Sequence, residues 1–183
     1  MFDASLPFVH VQTKRNKYQN IESFDLEHIF KFYRQKGLRL IKYVVSIKEY
    51  QGKYLTLDYY PKINLTPKLY SGENMQDLRY RMLTRQNSFG YIGGTIMEIM
   101  LLVQKRSGIY TWGFLAANLP EETTNVNNKR YNVYTEVLRR SFKNNQKVLG
   151  NRSKSAIFVL PNEELPNQKQ IIAEYEKLFS ETN

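Results

Sequence analysis

NSFGYIGGTIMEIM, residues Asn87 to Met100, decides how the second half of the chain is read. Gly90, Gly93 and Gly94 precede an apolar run, Ile96, Ile99, Met100 and Val103, with helical spacing. Thr95 and Glu98 form a capping box, which predicts a helix from Thr95 to near Arg106 with a glycine turn in front of it. Free backbone amides at such a turn, aligned with the helix dipole, suit an anion. The two established phosphate signatures do not fit. No lysine follows the glycines as a P-loop requires, and the spacing departs from that of a dinucleotide-binding turn.

Downstream of this stretch the periodicities alternate. IYTWGFLAAN reads as a strand buried on both faces, and NNKRYNVYTEVLRRSFKNN as a helix with Tyr131, Tyr134, Val137 and Leu138 inward. AIFVL is a short strand, and a C-terminal helix follows, with Asn167 as its cap and Ile171, Ile172, Tyr175, Leu178 and Phe179 toward the core. Upstream, LRLIKYVVSIKEY and KYLTLDYY flank Gln51-Gly52 and predict a hairpin. In its first strand Ile41, Tyr43, Val45, Ile47 and Glu49 share the apolar face. SFDLEHIFKFYRQKG predicts a helix, with Leu26, Ile29, Phe30 and Tyr33 on one face, His28 at the surface and Gly37 as the stop. Pro61 and Pro67 bound a loop, and DLRYRMLTRQ reads as a strand. The predicted class is α/β, bordering on α+β: a mixed central sheet with an N-terminal hairpin, flanked by helices. Residues 1–21 read as an N-terminal arm and 22–183 as one domain, in keeping with a chain of 183 residues.

Composition narrows the chemistry. With no cysteine, disulfides, thiolate metal sites and cysteine nucleophiles are excluded. The two histidines, His10 and His28, lack the spacing of a zinc motif, so no metal site is expected. No apolar run is long enough to span a membrane and no signal peptide is visible, which predicts a cytoplasmic or virion protein. Lys and Arg number 27 against 17 acids, a formal charge of +10, which favours an anionic partner. Between Lys129 and Ser155 lie Lys129, Arg130, Arg139, Arg140, Lys143, Lys147, Arg152 and Lys154 against the single acid Glu136. That face suits phosphates or an acidic protein neighbour. The chain has 14 tyrosines, and Tyr50, Tyr54, Tyr59 and Tyr60 around the hairpin predict a docking surface.

The order RQNSFGYIGG, helix, TWGFLAAN ending at Asn118, then KRYNVYTEVLRR resembles the layout of the GNAT-type N-acetyltransferases across roughly Asp77 to Phe142. The resemblance implies that Gly90, Gly93 and Gly94 hold the pyrophosphate of acetyl-CoA. It also implies that Tyr134 protonates the departing thiolate and that a carboxylate, Asp58 or Glu98, acts as base. The glycine spacing departs from that family's motif. On the alternative reading Glu98 only caps its helix and Tyr134 only fills the core. The layout, with Arg130 and Tyr134 four apart, also resembles small uncharacterised α/β proteins of bacteriophages and Bacteroidetes. The leading expectation is therefore a non-enzymatic, basic, tyrosine-rich interaction module without a cofactor, most concretely a bacteriophage virion or assembly component, whose partners are other proteins of the assembly or further copies of itself. The alternatives are an acyltransferase using acetyl-CoA and a sequence-independent nucleic-acid-binding protein.

Overall fold

The computed structural model describes residues 4–16, 24–36, 38–62, 89–116, 126, 128–142 and 144–181. The strand expected in DLRYRMLTRQ, the end of the buried strand at Asn118, and Lys143 lie outside them. Among the described residues the strands are β1 (Phe8–Arg15), β2 (Leu26–Lys36), β3 (Arg39–Tyr50), β4 (Tyr54–Lys62), β5 (Trp112–Leu115), β6 (Gln146–Asn151) and β7 (Ala156–Pro161). The helices are α1 (Phe89–Ser107), α2 (Lys129–Ser141) and α3 (Gln168–Glu181), with a 3-10 turn over Asn162–Asn167 before the last. The strands form one mixed sheet in the order β1-β2-β3-β4-β5-β7-β6. This is the mixed α/β class that the periodicities indicate.

Three expectations are corrected. Leu26–Lys36 is a strand, paired antiparallel with β1 on one side and along its whole length with β3 on the other. In eleven residues its pattern satisfies both periods. The strand places Phe30 and Phe32 on the buried face, fully enclosed, where aromatic side chains suit a pleated surface. The second correction concerns KNNQKVLGNRSKS, whose sequence predicts a basic loop beside the helix: part of it is β6, antiparallel to β7, with Val148 turned into the core. Finally, residues 8–15 of the expected arm form the edge strand β1, and the Leu6 amide donates to Thr95 Oγ1 on α1 at 2.8 Å.

The hairpin between β3 and β4 forms as expected. Gln51 and Gly52 both take positive φ, 54° and 61°, as a primed turn requires, and Lys53 N donates to Tyr50 O at 3.0 Å. Tyr43, Val45, Ile47 and Glu49 are buried on the predicted face. α1 and α2 share one core with these residues, built around Phe30, Phe32, Ile99, Met100, Tyr131 and Leu138. A second core joins α3 to the hairpin end and to β7 through Tyr50, Tyr54, Phe158, Leu160, Ile171 and Tyr175. The tyrosines expected at a docking surface are thus mostly internal: Tyr50 and Tyr54 are buried, while Tyr59 packs against the first core.

β4 and β5 are the parallel neighbours, and their register covers only Leu55↔Trp112 and Thr56↔Gly113. Beyond Thr56 and Gly113 the register between them ends, so the sheet opens toward the carboxyl ends of both strands. α3 braces the closed end. Its Tyr175 ring lies against Gly113 so closely that a Cβ there would collide with it. Glycine is required at this point to let the ring approach the backbone.

Candidate functional site

The opening between β4 and β5 is a cleft walled by both strands and by α1 and α2. One wall is Leu57, Asp58 and Tyr59 of β4, the other is Phe114 and Leu115 of β5. α1 contributes Gly93, Ile96, Met97 and Met100, and α2 contributes Arg130, Tyr134, Val137 and Leu138. Ligands of α/β sheets bind at such a point, beyond the carboxyl ends of parallel strands whose crossover helices leave the backbone free.

α2 is aimed at the cleft by its cap. Asn128 accepts from Tyr131 N at 2.7 Å, while its side-chain amide donates to Ala116 O, just past β5, at 2.6 Å. The Asn128 amide donates to Ser155 Oγ at 3.2 Å, which ties the same residue to the turn between β6 and β7. One buried asparagine therefore fixes the helix start against two strands. Tyr131, a turn further on, packs over Gly150, where a Cβ would meet its hydroxyl. Three residues beyond it, Tyr134 reaches the cleft.

The Tyr134 hydroxyl lies 2.7 Å from that of Tyr59. Burial pushes the Tyr134 pKa upward, a nearby Asp58 charge acts in the same direction, and the Tyr59 hydrogen bond and the Arg130 charge oppose them. Tyr134 therefore holds its proton at neutral pH. Its phenolate, were one to form, would have a hydroxyl and a guanidinium to stabilise it. Asp58 is exposed at the rim of the cleft, whereas Arg130 is buried within it.

The remaining residues singled out from the sequence are placed differently. α1 begins at Phe89, so Gly90, Gly93 and Gly94 are helical and form no loop ahead of Thr95; Gly93 alone of them lines the cleft. Thr95 is mid-helix and caps nothing. Its hydroxyl donates to Tyr91 O at 2.7 Å, the back-bond of an interior threonine. Glu98 is exposed and lies outside the cleft walls, which leaves Asp58 as the carboxylate beside Tyr134. Arg130 belongs to the cleft and not to an outer face. Arg139, Arg140, Lys147, Arg152 and Lys154 are exposed, with Arg140 paired to Glu136 at 2.7 Å and Lys154 to Glu176 at 2.8 Å. For Lys129 the backbone alone is described, at the first position of α2.

Sequence reasoning missed Tyr59 as the partner of Tyr134, and it missed the Asn128 cap. An asparagine immediately before an amphipathic run was the available signal for the latter. Among the described residues no cluster of His, Asp and Glu could hold a metal ion, and no helix is long and apolar enough to cross a membrane. Comparison with protein-family models, with curated proteins and with solved structures returns no match.

Proposed function

We propose that the protein transfers an acyl group from a coenzyme A thioester to an acceptor amine in the cleft between β4 and β5. The observation that carries this reading is the Tyr134 hydroxyl, held by Tyr59 at 2.7 Å where two parallel strands part. In the transfer the C–N bond forms and the C–S bond breaks. The amine proton passes to a base and the departing thiolate takes a proton from Tyr134. Asp58, at the cleft rim, is the base that the geometry favours over Glu98. Stabilisation of charge on the tyrosine oxygen by Tyr59 and Arg130 grows as that proton leaves, which is the differential binding that accelerates a step.

The residues present fit such a donor in part. Ile96, Met97, Met100 and Phe114 suit an acyl chain and the thiol arm. Gly93 is the position of α1 where the cleft meets the helix without a side chain between them. Titration with acetyl-CoA by calorimetry tests the reading. Binding is expected, with turnover lost and binding kept in Tyr134→Phe. The absence of heat and of any thermal shift at millimolar acetyl-CoA would refute it.

A second reading keeps the interaction module, in its concrete form a bacteriophage virion or assembly component, or a sequence-independent nucleic-acid binder. It is supported by exposed Arg139, Lys147 and Arg152 and by the exposed apolar residues Val9, Val11 and Leu40. Affinity for DNA or an acidic protein that fails to fall steeply with salt would remove the electrostatic form of it.

A further inference from the structure

Both histidines of the chain lie in one hydrogen-bonded line on the sheet, remote in sequence from the cleft residues. His10 Nε2 is 3.0 Å from Thr13 Oγ1, Thr13 Oγ1 is 2.9 Å from His28 Nδ1, and His28 Nε2 is 2.6 Å from Glu49 Oε1. A bulge between His10 and Gln12 makes this possible. It turns His10 and Thr13, three apart, to the same face of β1. Glu49 is only 7% exposed, whereas Thr13 is open to solvent.

The carboxylate at one end of the line sets the direction of the bond it makes. A carboxylate accepts, so His28 Nε2 carries the hydrogen and Nδ1 bears the lone pair. With His28 neutral in this tautomer, Thr13 donates to Nδ1, and His10 Nε2 lies on the other side of the same hydroxyl. Burial and the Arg106 charge lower the His10 pKa, against a backbone hydrogen bond at Gln12 that raises it. A hydroxyl, a base that receives its proton and a buried carboxylate that orients the base form the arrangement that activates a nucleophile.

We infer that Thr13 is an activated nucleophile that accepts an acyl group from small, solvent-accessible carboxylic esters and releases it to water. Thr13 Oγ1 bonds to the ester carbonyl carbon while its proton moves to His28 Nδ1. The ester C–O bond then breaks and His28 returns the proton to the departing alkoxide. Water attacks the threonyl ester, passes a proton to His28, and Thr13 recovers it as the acid departs. Glu49 stabilises the imidazolium in both halves. This site is independent of the acyl transfer proposed above.

The test is covalent labelling of the full chain with a fluorophosphonate probe, located by peptide mass mapping. A single adduct on Thr13 is expected, absent in Thr13→Val and retained in Thr13→Ser. His28→Gln and Glu49→Gln should each slow labelling about tenfold or more. Circular dichroism identifies which of these two variants fold, and wild-type protein kept folded serves as the reference. No adduct on folded wild type, or slowing of less than about tenfold in every folded variant, overturns the inference.

Discussion

The Tyr175 hydroxyl on α3 lies 2.8 Å from Thr111 O and 3.1 Å from Leu55 O, so one phenol spans the two segments at which β4 and β5 begin. Leu55 N donates to Thr111 O at 2.9 Å beside it, closing the parallel pair at its narrow end. The cleft opens from that point.

Tyr175→Phe should lower stability by about 1–3 kcal/mol, because buried carbonyls lose their shared donor while the ring packing stays. Urea unfolding followed by tryptophan fluorescence reads this directly, since Trp112 starts β5. An unchanged midpoint would show that the hydroxyl contributes nothing at the closed end.

Gly113→Ala should destabilise by a similar amount, roughly 1–3 kcal/mol, because the new methyl collides with the Tyr175 ring. The collision disappears if the ring is removed. In a Tyr175→Leu background the same substitution should cost much less, and a double-mutant cycle measures the difference.

Alkaline pH should unfold the protein through its buried phenols. Burial raises the pKa of Tyr175 well above the ordinary tyrosine value, and that of Tyr134 is raised as well. The unfolded chain therefore releases these protons first as pH rises. The stability they confer is complete below about pH 10 and is lost above it as pH climbs toward the folded-state values. Melting temperatures between about pH 8 and pH 11 should fall, and fall less in Tyr175→Phe.

Tyr134→Phe should reduce acyl-transfer kcat by roughly two orders of magnitude or more with KM little changed, the pattern of a lost proton donor. Tyr59→Phe removes a partner of that donor and leaves the donor in place. Its effect should be smaller than that of Tyr134→Phe and should be accompanied by a change in the alkaline limb of the rate profile.

What the sequence made legible follows the locality of the signal. The alternation of Tyr43, Val45, Ile47 and Glu49, the Gln51-Gly52 turn, the stripe of α2 and the face of α3 are each written within a few residues. β2 was misread because Leu26, Ile29, Phe30 and Tyr33 satisfy a helix as well as Phe30 and Phe32 satisfy a strand, and pairing with β1 and β3 decided it. β6 carries Val148 and Leu149 as its apolar residues and becomes a strand against β7. The Thr95 and Glu98 pattern of a capping box puts the start of α1 at Thr95, yet Gly93 and Gly94 are buried within the helix. Tyr134 was named from its helix, but no local pattern announces Tyr59, 75 residues away, as its partner.

The two residue pairs between β4 and β5 have a mechanical consequence. Four antiparallel strands on one side and three on the other are each fully cross-linked, and the link between them is short. The backbone seam between the two halves is thus narrow, and most of what holds them together is the side-chain packing of the two cores that lie across it. Amide exchange should divide along the same line, with one protection level on each side.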